Sequence, residues 1–432
     1  MEEVCGELLN QGLHLTHVVP VQKSAGFRGG WTEGAWLYFA AKRCATPISP
    51  CTKYQDKSTS DKEKIALADK IRLGIIGANI HRGWAPRAHL PAIVASPEFE
   101  LTGVCTTRME SAEECQQKYG ARLAFDDYHK MLAHPDIDAI AISLRVPSHY
   151  EPTMAAINAG KHVYVEWPLG RTTAEAQEMA SAAQAKGVRN MVGLQARAAP
   201  SILYAKELVE SGYVGNVMSC NVSRIDGGTF ERTSDRTWQK DVELGANTLT
   251  ISCGHTIDAL RFVVGDFSNV STVVSSQAQQ WHETDTDQWV DVTAPDNILV
   301  SGRLAGGGVA SVHVASNPSV GSGYRMEIYG RKGVLVASSG ESPNQDGVKL
   351  QGAQGSDKLE AIEIPSRLTN VLEGMPRGAP YNVGQMYYQF GQSILSGDPC
   401  QPDFATAVEL HHFIDSIQAA SDQGKELLVS GR

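Results

Sequence analysis

Cysteine is scarce in this chain and is never arranged in pairs. The eight cysteines are scattered between Cys5 and Cys400, and no two of them form a C-x-x-C motif. Structural zinc sites and disulfide frameworks need clustered, regularly spaced cysteines, so the sequence indicates neither, and we predict no metal site. Unpaired cysteines are typical of a reducing compartment, and we expect the protein to be cytoplasmic.

The chain also lacks an excess of positive charge and a long apolar run. Its formal net charge is −10, whereas direct nucleic-acid binding needs a basic patch. We therefore expect no direct contact with nucleic acid, which leaves open a protein partner that itself binds DNA. No apolar run is long enough to span a membrane, and the opening residues MEEVCGELL are acidic where a signal peptide would be basic. We expect no membrane association.

A strand-like run and a glycine turn stand together at residues 71–83, IRLGIIGANIHRG. The run is apolar and rich in β-branched residues, which predicts a buried parallel strand. The turn is bounded by Gly77 and Gly83, and Asn79 stands where a second glycine is usual. Such a turn lets backbone N–H groups approach a pyrophosphate, and the helix N-terminus that follows favours its charge. The motif predicts a dinucleotide site, but a lone glycine pattern also fits an ordinary strand–turn–helix.

From Ile71 to about residue 195 the chain alternates strand-like runs with helix-like segments. A helix at 111–119 has Gly120 as its stop signal, and a helix at 173–185 has Thr172 or Thr173 as its N-cap. Repeated β–α units predict a parallel sheet with right-handed crossovers. Beyond about residue 200 extended segments dominate, which predicts an open, mostly antiparallel sheet. The last two helices should pack on it or back on the first sheet.

The predicted fold class is therefore α/β. An N-terminal Rossmann dinucleotide-binding domain at residues 70–195 is followed at 196–432 by an α+β domain with an open, mostly antiparallel sheet. Residues 1–69 lack sustained periodicity, and we predict a poorly ordered N-terminal extension there. The alternative is a docking segment, which would use Trp31, Trp36, Leu37 and Phe39.

The second predicted strand covers residues 101–106. The residues at its end indicate which of the two nicotinamide coenzymes is bound. This end reads Cys105-Thr106-Thr107-Arg108, with two hydroxyls and a guanidinium but no carboxylate. An acidic residue there accepts from the ribose 2′-OH of NAD, whereas a basic one accommodates the 2′-phosphate of NADP. Because arginine binds phosphate bidentately, we favour NADP(H) over NAD(H). The alternative is that Arg108 is only a solvated loop residue.

A turn at residues 166–168 follows another predicted strand, at the sheet edge where ligands gather. It consists of Glu166, Trp167 and Pro168. One interpretation places this turn over the nicotinamide, and the other makes Trp167 a cap of the core, because large aromatic side chains are usually buried. The complete set of predicted coenzyme-binding residues is Gly77, Asn79, Ile80, Gly83, Thr106, Thr107, Arg108, Leu144, Pro147, His149, Glu166, Trp167, Pro168 and Gln195.

A predicted helix at about 247–264 carries the candidate catalytic residues, His255 and Asp258. Residues at this spacing share a helix face. A carboxylate beside a histidine can orient it as a general acid or base near neutral pH. A lone histidine on a helix is more often structural, so both interpretations stay open at this point.

Several motifs of the chain occur together in one known family. They are IRLGIIGANIHRG, AGKHV at 159–163, the E-W-P turn and G-H-T-I-D at 254–258. Together they resemble the family of glucose–fructose oxidoreductase, inositol dehydrogenase and the rhizopine-catabolism protein MocA, over about residues 70–430. The resemblance implies a Rossmann domain and a C-terminal α/β domain for substrate binding and oligomerisation. It also implies hydride transfer between NAD(P) and a sugar, polyol or related alcohol, and we expect a homo-oligomer, a dimer or tetramer.

The chain departs from the family pattern at two positions. The family lysine of E-K-P, which helps move the substrate proton, is replaced by Trp167, and the helix aspartate is replaced by Ile251. Of the family Lys/Asp/His set only His255 is present. The combination of motifs resembles the branch that contains the galactose-regulon repressor of yeasts, which binds NAD(P) and acts as a protein-binding regulator.

Two functions of different classes follow from these residues. The favoured one is an NAD(P)-dependent oxidoreductase acting on a carbohydrate-like or small alcohol or ketone, with His255 as proton carrier. Tyr150, Gln195 and Arg197 would shape its pocket. The alternative is a non-catalytic NAD(P)-binding transcriptional regulator that binds a protein partner in the cleft, with Trp167 as an aromatic anchor. A relative that kept the fold without a dedicated ligand is the third interpretation.

Overall fold

The structure, a computed structural model, describes residues 70–429. The predicted extension at residues 1–69 and its docking alternative lie outside the described residues. No helix between residues 70 and 429 combines the length and the apolar character needed to cross a membrane. The described chain is built on two large sheets.

Within the described residues the first sheet has six parallel strands in the order β3–β2–β1–β4–β5–β6. They are β1 (Ile71–Ile76), β2 (Phe99–Cys105), β3 (Leu123–Phe125), β4 (Ala139–Ile142), β5 (His162–Glu166) and β6 (Asn190–Gly193). The chain builds outward from β1 in one direction and returns to place β4 on its other side. The carboxyl ends of β1 and β4 therefore flank the crevice in which this topology binds dinucleotides, and the predicted Rossmann fold is confirmed.

The helices between these strands end where capping residues stand. They are α1 (Leu90–Ala95), α2 (Met109–Tyr119), α3 (Tyr128–Leu132), α4 (Tyr150–Asn158) and α5 (Thr173–Lys186). Gly120 ends α2 in the left-handed region, and the Thr172 side chain accepts from the Glu175 amide at the start of α5. Both predicted caps are confirmed. Periodicity does not predict β3 and α3, because segments of three and five residues are too short to show it.

The second sheet has nine strands among the described residues, in the order β17–β16–β15–β14–β7–β13–β12–β9–β18. In chain order they are β7 (Val217–Asp226), β9 (Asn269–Ser275), β12 (Asn297–Arg303), β13 (Val309–Ser316), β14 (Gly323–Gly330), β15 (Gly333–Ser339), β16 (Lys349–Gln354), β17 (Glu360–Ala361) and β18 (Leu427–Leu428). Neighbouring strands are antiparallel except β7 and β13, which are parallel. The predicted mostly antiparallel sheet is confirmed.

The two faces of the second sheet differ. Helices α6 (Pro200–Glu210) and α7 (Gly254–Val264) pack together on one face. The other face is open, and Val273, Leu299 and Val309 are exposed on it. A separate small sheet combines β8 (Glu231–Arg232), β10 (Gln280–Glu283) and β11 (Gln288–Asp291).

The last two helices return to the first sheet. They are α8 (Ala379–Ser396) and α9 (Phe404–Gln423). Helix α8 inserts Tyr387 and Phe390 into the core beneath β1 and β2, where both rings contact Phe99. Helix α9 packs on α5 and also on β9. Of the two predicted packings, α8 adopts the return to the first sheet, while α9 joins the two sheets.

Candidate functional site

A cleft of about 1770 Å³ opens at the carboxyl ends of β1, β2, β4 and β5, and residues of the second sheet and the small sheet form its opposite wall. This volume exceeds the ~300–1,000 Å³ of a pocket for one small ligand. Most of the predicted site residues line it, namely Gly77, Asn79, Gly83, Thr106, Thr107, Arg108, Leu144, Pro147, His149, Glu166, Trp167, Gln195 and His255. Ile80, Pro168 and Asp258 do not line it.

The glycine turn is fixed by close approach of the backbone and by one side chain. Gly77 has φ of 90°, and a Cβ there would lie 2.2 Å from the carbonyl oxygen of Ser143, so no side chain fits. Asn79, in the place of the usual second glycine, accepts with Oδ1 from the amides of His81 and Arg82 at 2.9 and 3.2 Å. The asparagine thus folds the turn through its own hydrogen bonds.

The hydrogen bonds within the glycine turn determine which of its backbone amides can donate to a phosphate. The amides of Gly77 and Ala78 donate to the Cys105 carbonyl at 3.0 and 3.2 Å. No described residue accepts from the amides of Ile80 and Gly83. The Ile80 side chain packs against the core beneath the first sheet rather than lining the cleft. Any contribution of Ile80 to ligand binding would therefore come from its backbone.

The two threonines after β2 have different surroundings. The Thr106 hydroxyl lies 2.6 Å from the Ser111 hydroxyl and donates to the Arg108 carbonyl at 2.7 Å, so it is used in the turn that starts α2. Thr107 and Arg108 are exposed at the cleft. No described carboxylate pairs with the Arg108 guanidinium. Of the predicted group at this strand end, Thr107 and Arg108 remain available to a ligand.

Glu166 belongs to a buried polar network. Its Oε1 lies 2.8 Å from His89 Nε2, and Gln195 Nε2 donates to both of its oxygens at 3.1 and 2.8 Å. His89 Nδ1 in turn contacts the Tyr387 hydroxyl at 2.7 Å. A Cβ at Gly193 would lie 2.7 Å from the carboxylate, so a side chain there would displace Glu166 from its present position. The network fixes the Glu166 and Gln195 side chains at the cleft before any ligand binds.

Trp167 is part of the core, as the second interpretation of the E-W-P turn predicted. It is 4% exposed, its Nε1 donates to the Thr250 carbonyl at 2.8 Å, and its ring lies 4.7 Å from that of His411. Its indole also lies so close to Gly254 that a Cβ there would be 2.7 Å from Nε1. Trp167 lines the cleft, as an aromatic anchor for a partner would, but only a small part of its indole is accessible there.

His149 and Pro168 contact each other rather than a ligand. His149 Nδ1 lies 2.9 Å from the Pro168 oxygen, and Nε2 lies 3.1 Å from the Leu144 oxygen. Burial lowers the pKa of His149, so the ring is neutral at neutral pH and its one N–H serves one of these carbonyls. His149 thus joins the loops that follow β4 and β5.

His255 is a neutral histidine in the cleft. It is 5% exposed and its Nδ1 is buried without a described partner, which leaves Nε2 as the nitrogen that a ligand can reach. Burial, and then the positive charge of Arg224, lower the pKa of His255 to about 3. The imidazole can therefore accept a hydrogen bond or a proton at neutral pH.

Asp258 does not orient His255, and this part of the prediction is wrong. Its two oxygens accept from Nε and Nη2 of Arg197 at 2.7 to 3.0 Å, and neither residue lines the cleft. The arginine also lies over the Phe262 ring. Arg197 therefore does not shape the pocket, because a buried carboxylate and an aromatic face hold it. Helix spacing places two residues on one face but does not choose the partner of either.

Three cleft residues near His255 are not predicted from the sequence, namely Arg224, Asp226 and Ser252. Arg224 Nε donates to Asp226 at 3.1 Å, and Ser252 Oγ donates to the same carboxylate at 3.1 Å. Ile251, which replaces the family aspartate, also lines the cleft. The only signal in the sequence is the R-I-D ending of a long strand, which is too short to be specific. Among residues 70–429 no group of three or more potential metal ligands is found.

Comparison with known proteins gives two matching family models. The oxidoreductase family with an NAD-binding Rossmann fold matches residues 71–194, and the C-terminal domain of Gal80p matches residues 200–339. The dehydrogenase aclE of Aspergillus oryzae is 30% identical over 286 residues, which are 62% of this chain and 77% of that protein. The regulatory protein GAL80 of Saccharomyces cerevisiae is 30% identical over 267 residues, 58% of this chain and 61% of that protein.

Solved structures show the same fold. Levoglucosan dehydrogenase in complex with NADH and L-sorbose superposes with a TM-score of 0.74 at 23% identity, covering 84% of this chain and 99% of that one. A super-repressor mutant of Gal80p from Saccharomyces cerevisiae gives a TM-score of 0.74 at 24% identity, covering 84% and 98%. The chain therefore belongs to the Gfo/Idh/MocA family of NAD-binding Rossmann-fold oxidoreductases, in the branch that includes Gal80.

Proposed function

We propose that this protein is an NADP(H)-dependent oxidoreductase that transfers a hydride to or from a carbohydrate-like or other small alcohol or ketone. The observation that carries the proposal is the glycine turn, in which Gly77 leaves no room for a side chain and no described residue accepts from the amides of Ile80 and Gly83. A diphosphate fits such a turn because it supplies the missing acceptors. Membership of the family supports the same coenzyme class.

Each residue at the cleft then has a separate task. The bound coenzyme supplies or accepts the hydride. Glu166, which is held by His89, and Gln195, which donates to Glu166, present fixed polar groups near the end of β5. His255 Nε2 accepts the hydroxyl proton when an alcohol is oxidised, and the low pKa of the ring keeps it in the accepting form. General bases with a pKa far below the working pH are weak, so we expect modest turnover, with positioning as the larger contribution.

Arg108 is the residue to which we assign the choice of NADP(H). Its guanidinium is exposed at the cleft, and Arg82 and Arg87 also line this side. Removing Arg108 as Arg108→Ala should weaken NADP(H) binding about tenfold or more, because a hydrogen bond to a charged group contributes ~1.5–3 kcal/mol. NAD(H) binding should change little. Calorimetry with both coenzymes measures this, and Arg331→Ala, an exposed arginine outside the cleft, is the control. An equal loss of affinity for NADP(H) and NAD(H) would contradict the assignment.

Turnover of purified protein tests the function itself. The full chain would be mixed with each oxidised or reduced coenzyme and a panel of sugars, polyols and ketones, while the absorbance of the reduced nicotinamide is followed. We expect coenzyme-dependent turnover of at least one compound, and its loss in His255→Asn with unchanged coenzyme affinity. If turnover survives in His255→Asn, the proton carrier is another group.

A second function has a specific observation in its favour. Trp167 and Ile251 stand where the family has its lysine and aspartate, and the Trp167 indole is bonded into the core by Thr250. A non-catalytic NAD(P)-binding regulator needs neither of the missing groups. Clear coenzyme binding without turnover across the whole panel would favour this regulator over the enzyme.

A further inference from the structure

The arginines of the cleft differ in whether a carboxylate neutralises them. Arg171 and Arg224 form salt bridges with Glu175 and Asp226. Within residues 70–429 the remaining cleft arginines form none. They are Arg82, Arg87 and Arg108, beside the glycine turn and the end of β2, and Arg145, Arg232 and Arg236. Arg145 follows β4 and reaches across to the carbonyl of Asp235, the residue before Arg236. The phosphates of the proposed coenzyme would account for the first trio and leave the second, here called the arginine wall, without an anion.

Arg232 is the enclosed member of the arginine wall. Its Cζ lies 3.8 Å from the centre of the Trp281 ring. Its Nε donates to the Thr229 carbonyl and its Nη1 to the Gln239 side-chain oxygen, both at 2.6 Å. These partners are neutral, so they orient the guanidinium without cancelling its charge. Burial, with the charge of Arg236, lowers the pKa of Arg232 to about 10, as expected for a cation that lacks an opposite charge.

The acidic groups around the arginine wall do not supply that charge. Glu283 lies beside Arg232 in the strand register, yet its carboxylate accepts from the hydroxyls of Thr237 and Thr286. Arg145 uses Nη2 to reach the backbone carbonyl of Asp235 at 2.7 Å rather than its carboxylate. The carboxylates near the arginine wall are thus bonded to other groups, and the positive charge of the wall is left for a ligand.

The arginine wall also has a second unused donor. Trp281 is 5% exposed, and its Nε1 is buried without an acceptor among the described residues. A buried donor without a partner costs about 1–3 kcal/mol, and a ligand with acceptor oxygens would satisfy it. The Arg232 guanidinium, which carries the charge, therefore stacks on an indole whose N–H also lacks an acceptor among the described residues.

We propose that Arg145, Arg232 and Arg236 form a subsite for an oxyanion, a carboxylate or phosphate group, carried by the small alcohol or ketone that the enzyme converts. This inference rests on the proposed oxidoreductase function and narrows its substrates to acidic or phosphorylated sugars and related compounds. The bidentate geometry of arginine suits both groups. The arginine wall would hold the charged end of the substrate while the reacting carbon faces the coenzyme side.

Calorimetry on the full chain, with NADP⁺ at saturation, tests the subsite. The probes are gluconate, glucose 6-phosphate and glucose. We expect at least one anionic probe to bind about tenfold or more tightly than glucose, and the stronger of the two identifies carboxylate or phosphate as the preferred group. Arg232→Gln and Arg236→Gln should each remove this preference. Arg236 is exposed, so its variant keeps the test valid if Arg232→Gln fails to fold.

Matched variants on the coenzyme side separate the two anion sites. Arg108→Gln should leave the preference for the anionic probe intact, and so should Arg331→Gln. Equal binding of glucose and both anions would overturn the inference, as would a preference lost in Arg108→Gln but kept in Arg236→Gln. Binding of a glutamate-rich peptide through Arg232, with neither small anion binding, would also overturn it.

Turnover distinguishes failure of the subsite from failure of the proposed function. Conversion of neutral sugars alone would leave the oxidoreductase intact and reject the subsite. Anion binding at the arginine wall without any turnover or coenzyme binding would reject the oxidoreductase instead.

Discussion

Gly77 and Gly83 share a left-handed backbone but differ in the space around them. Both have φ of 90°, yet a Cβ at Gly77 would lie 2.2 Å from the Ser143 oxygen, whereas nothing lies within 4 Å of one at Gly83. We expect Gly83→Ala to lower the free energy of unfolding by about 1–2 kcal/mol, the left-handed strain alone. Gly77→Ala should cost more and abolish coenzyme binding, because β1 and β4 must separate. Urea unfolding and calorimetry measure both, and equal losses would contradict the assignment.

A substitution of Asp258 tests how much its buried ion pair with Arg197 contributes to stability. Its carboxylate is 1% exposed and holds Arg197, so Asp258→Asn leaves a buried cation without its partner. Breaking such a pair costs about 3–5 kcal/mol. The control is Asp266→Asn, whose partner is Arg261 and whose side chain is 61% exposed, where the loss should stay within ~1 kcal/mol. Urea unfolding compares the two, and similar losses would show that the buried pair adds nothing.

Local sequence predicts residues at strand ends better than it predicts their partners. Gly77, Arg108 and Glu166 were recognisable because each follows an apolar run, and all three line the cleft. The partners of His89 and Asp258, which are Tyr387 and Arg197, come from distant parts of the chain. Nothing within a few residues of His89 or Asp258 encodes those contacts, since the return of a later helix or loop creates them.

The helix that carries His255 begins with a capping box on a π-helical turn, Thr248–Cys253. Asn247 Oδ1 accepts from the amides of Leu249 and Thr250, and Thr250 Oγ1 accepts from the Asn247 amide. We expect Asn247→Ala to cost about 1 kcal/mol of stability and to lower turnover, because His255 follows directly. Asp403→Ala removes the cap of α9 at a similar cost and should leave turnover unchanged. A drop in turnover for both variants would assign the effect to stability alone.

Whole elements were predictable where they are long. Most of the longer strands and helices of both large sheets follow from apolar runs and caps, whereas the short β3, α3, β17 and β18 do not. The helix expected over 247–264 begins with a π-helical turn. The apolar pattern cannot distinguish the two hydrogen-bond registers. The small sheet of β8, β10 and β11 is also missed, because strands of two and four residues carry no period.

Lowering the pH should lower the free energy of unfolding, because the protein contains buried histidines. Burial lowers the pKa of His255 to about 3 and of His411 to about 4. Below about pH 6.5 these two histidines bind protons in the unfolded chain but stay neutral in the folded protein. The free energy of unfolding therefore falls as the pH drops toward 4. Each histidine contributes a slope of about 1.4 kcal/mol per pH unit. Urea unfolding between about pH 7 and 5 measures the slope, and His411→Gln should make it shallower. An unchanged slope would mean that His411 is protonated when folded.

Helix α8 supplies Tyr387 and Phe390 to the core under β1 and β2. Tyr387 stands 298 residues after His89, its hydrogen-bond partner in that core. During synthesis, all strands of the first sheet leave the ribosome well before these two rings exist. Until α8 is synthesised, one apolar side of the nascent sheet is uncovered, and this side can aggregate or bind chaperones. Closing contacts between such distant parts of a chain is slow. The sheet that carries the crevice can therefore be completed only after α8 has been synthesised.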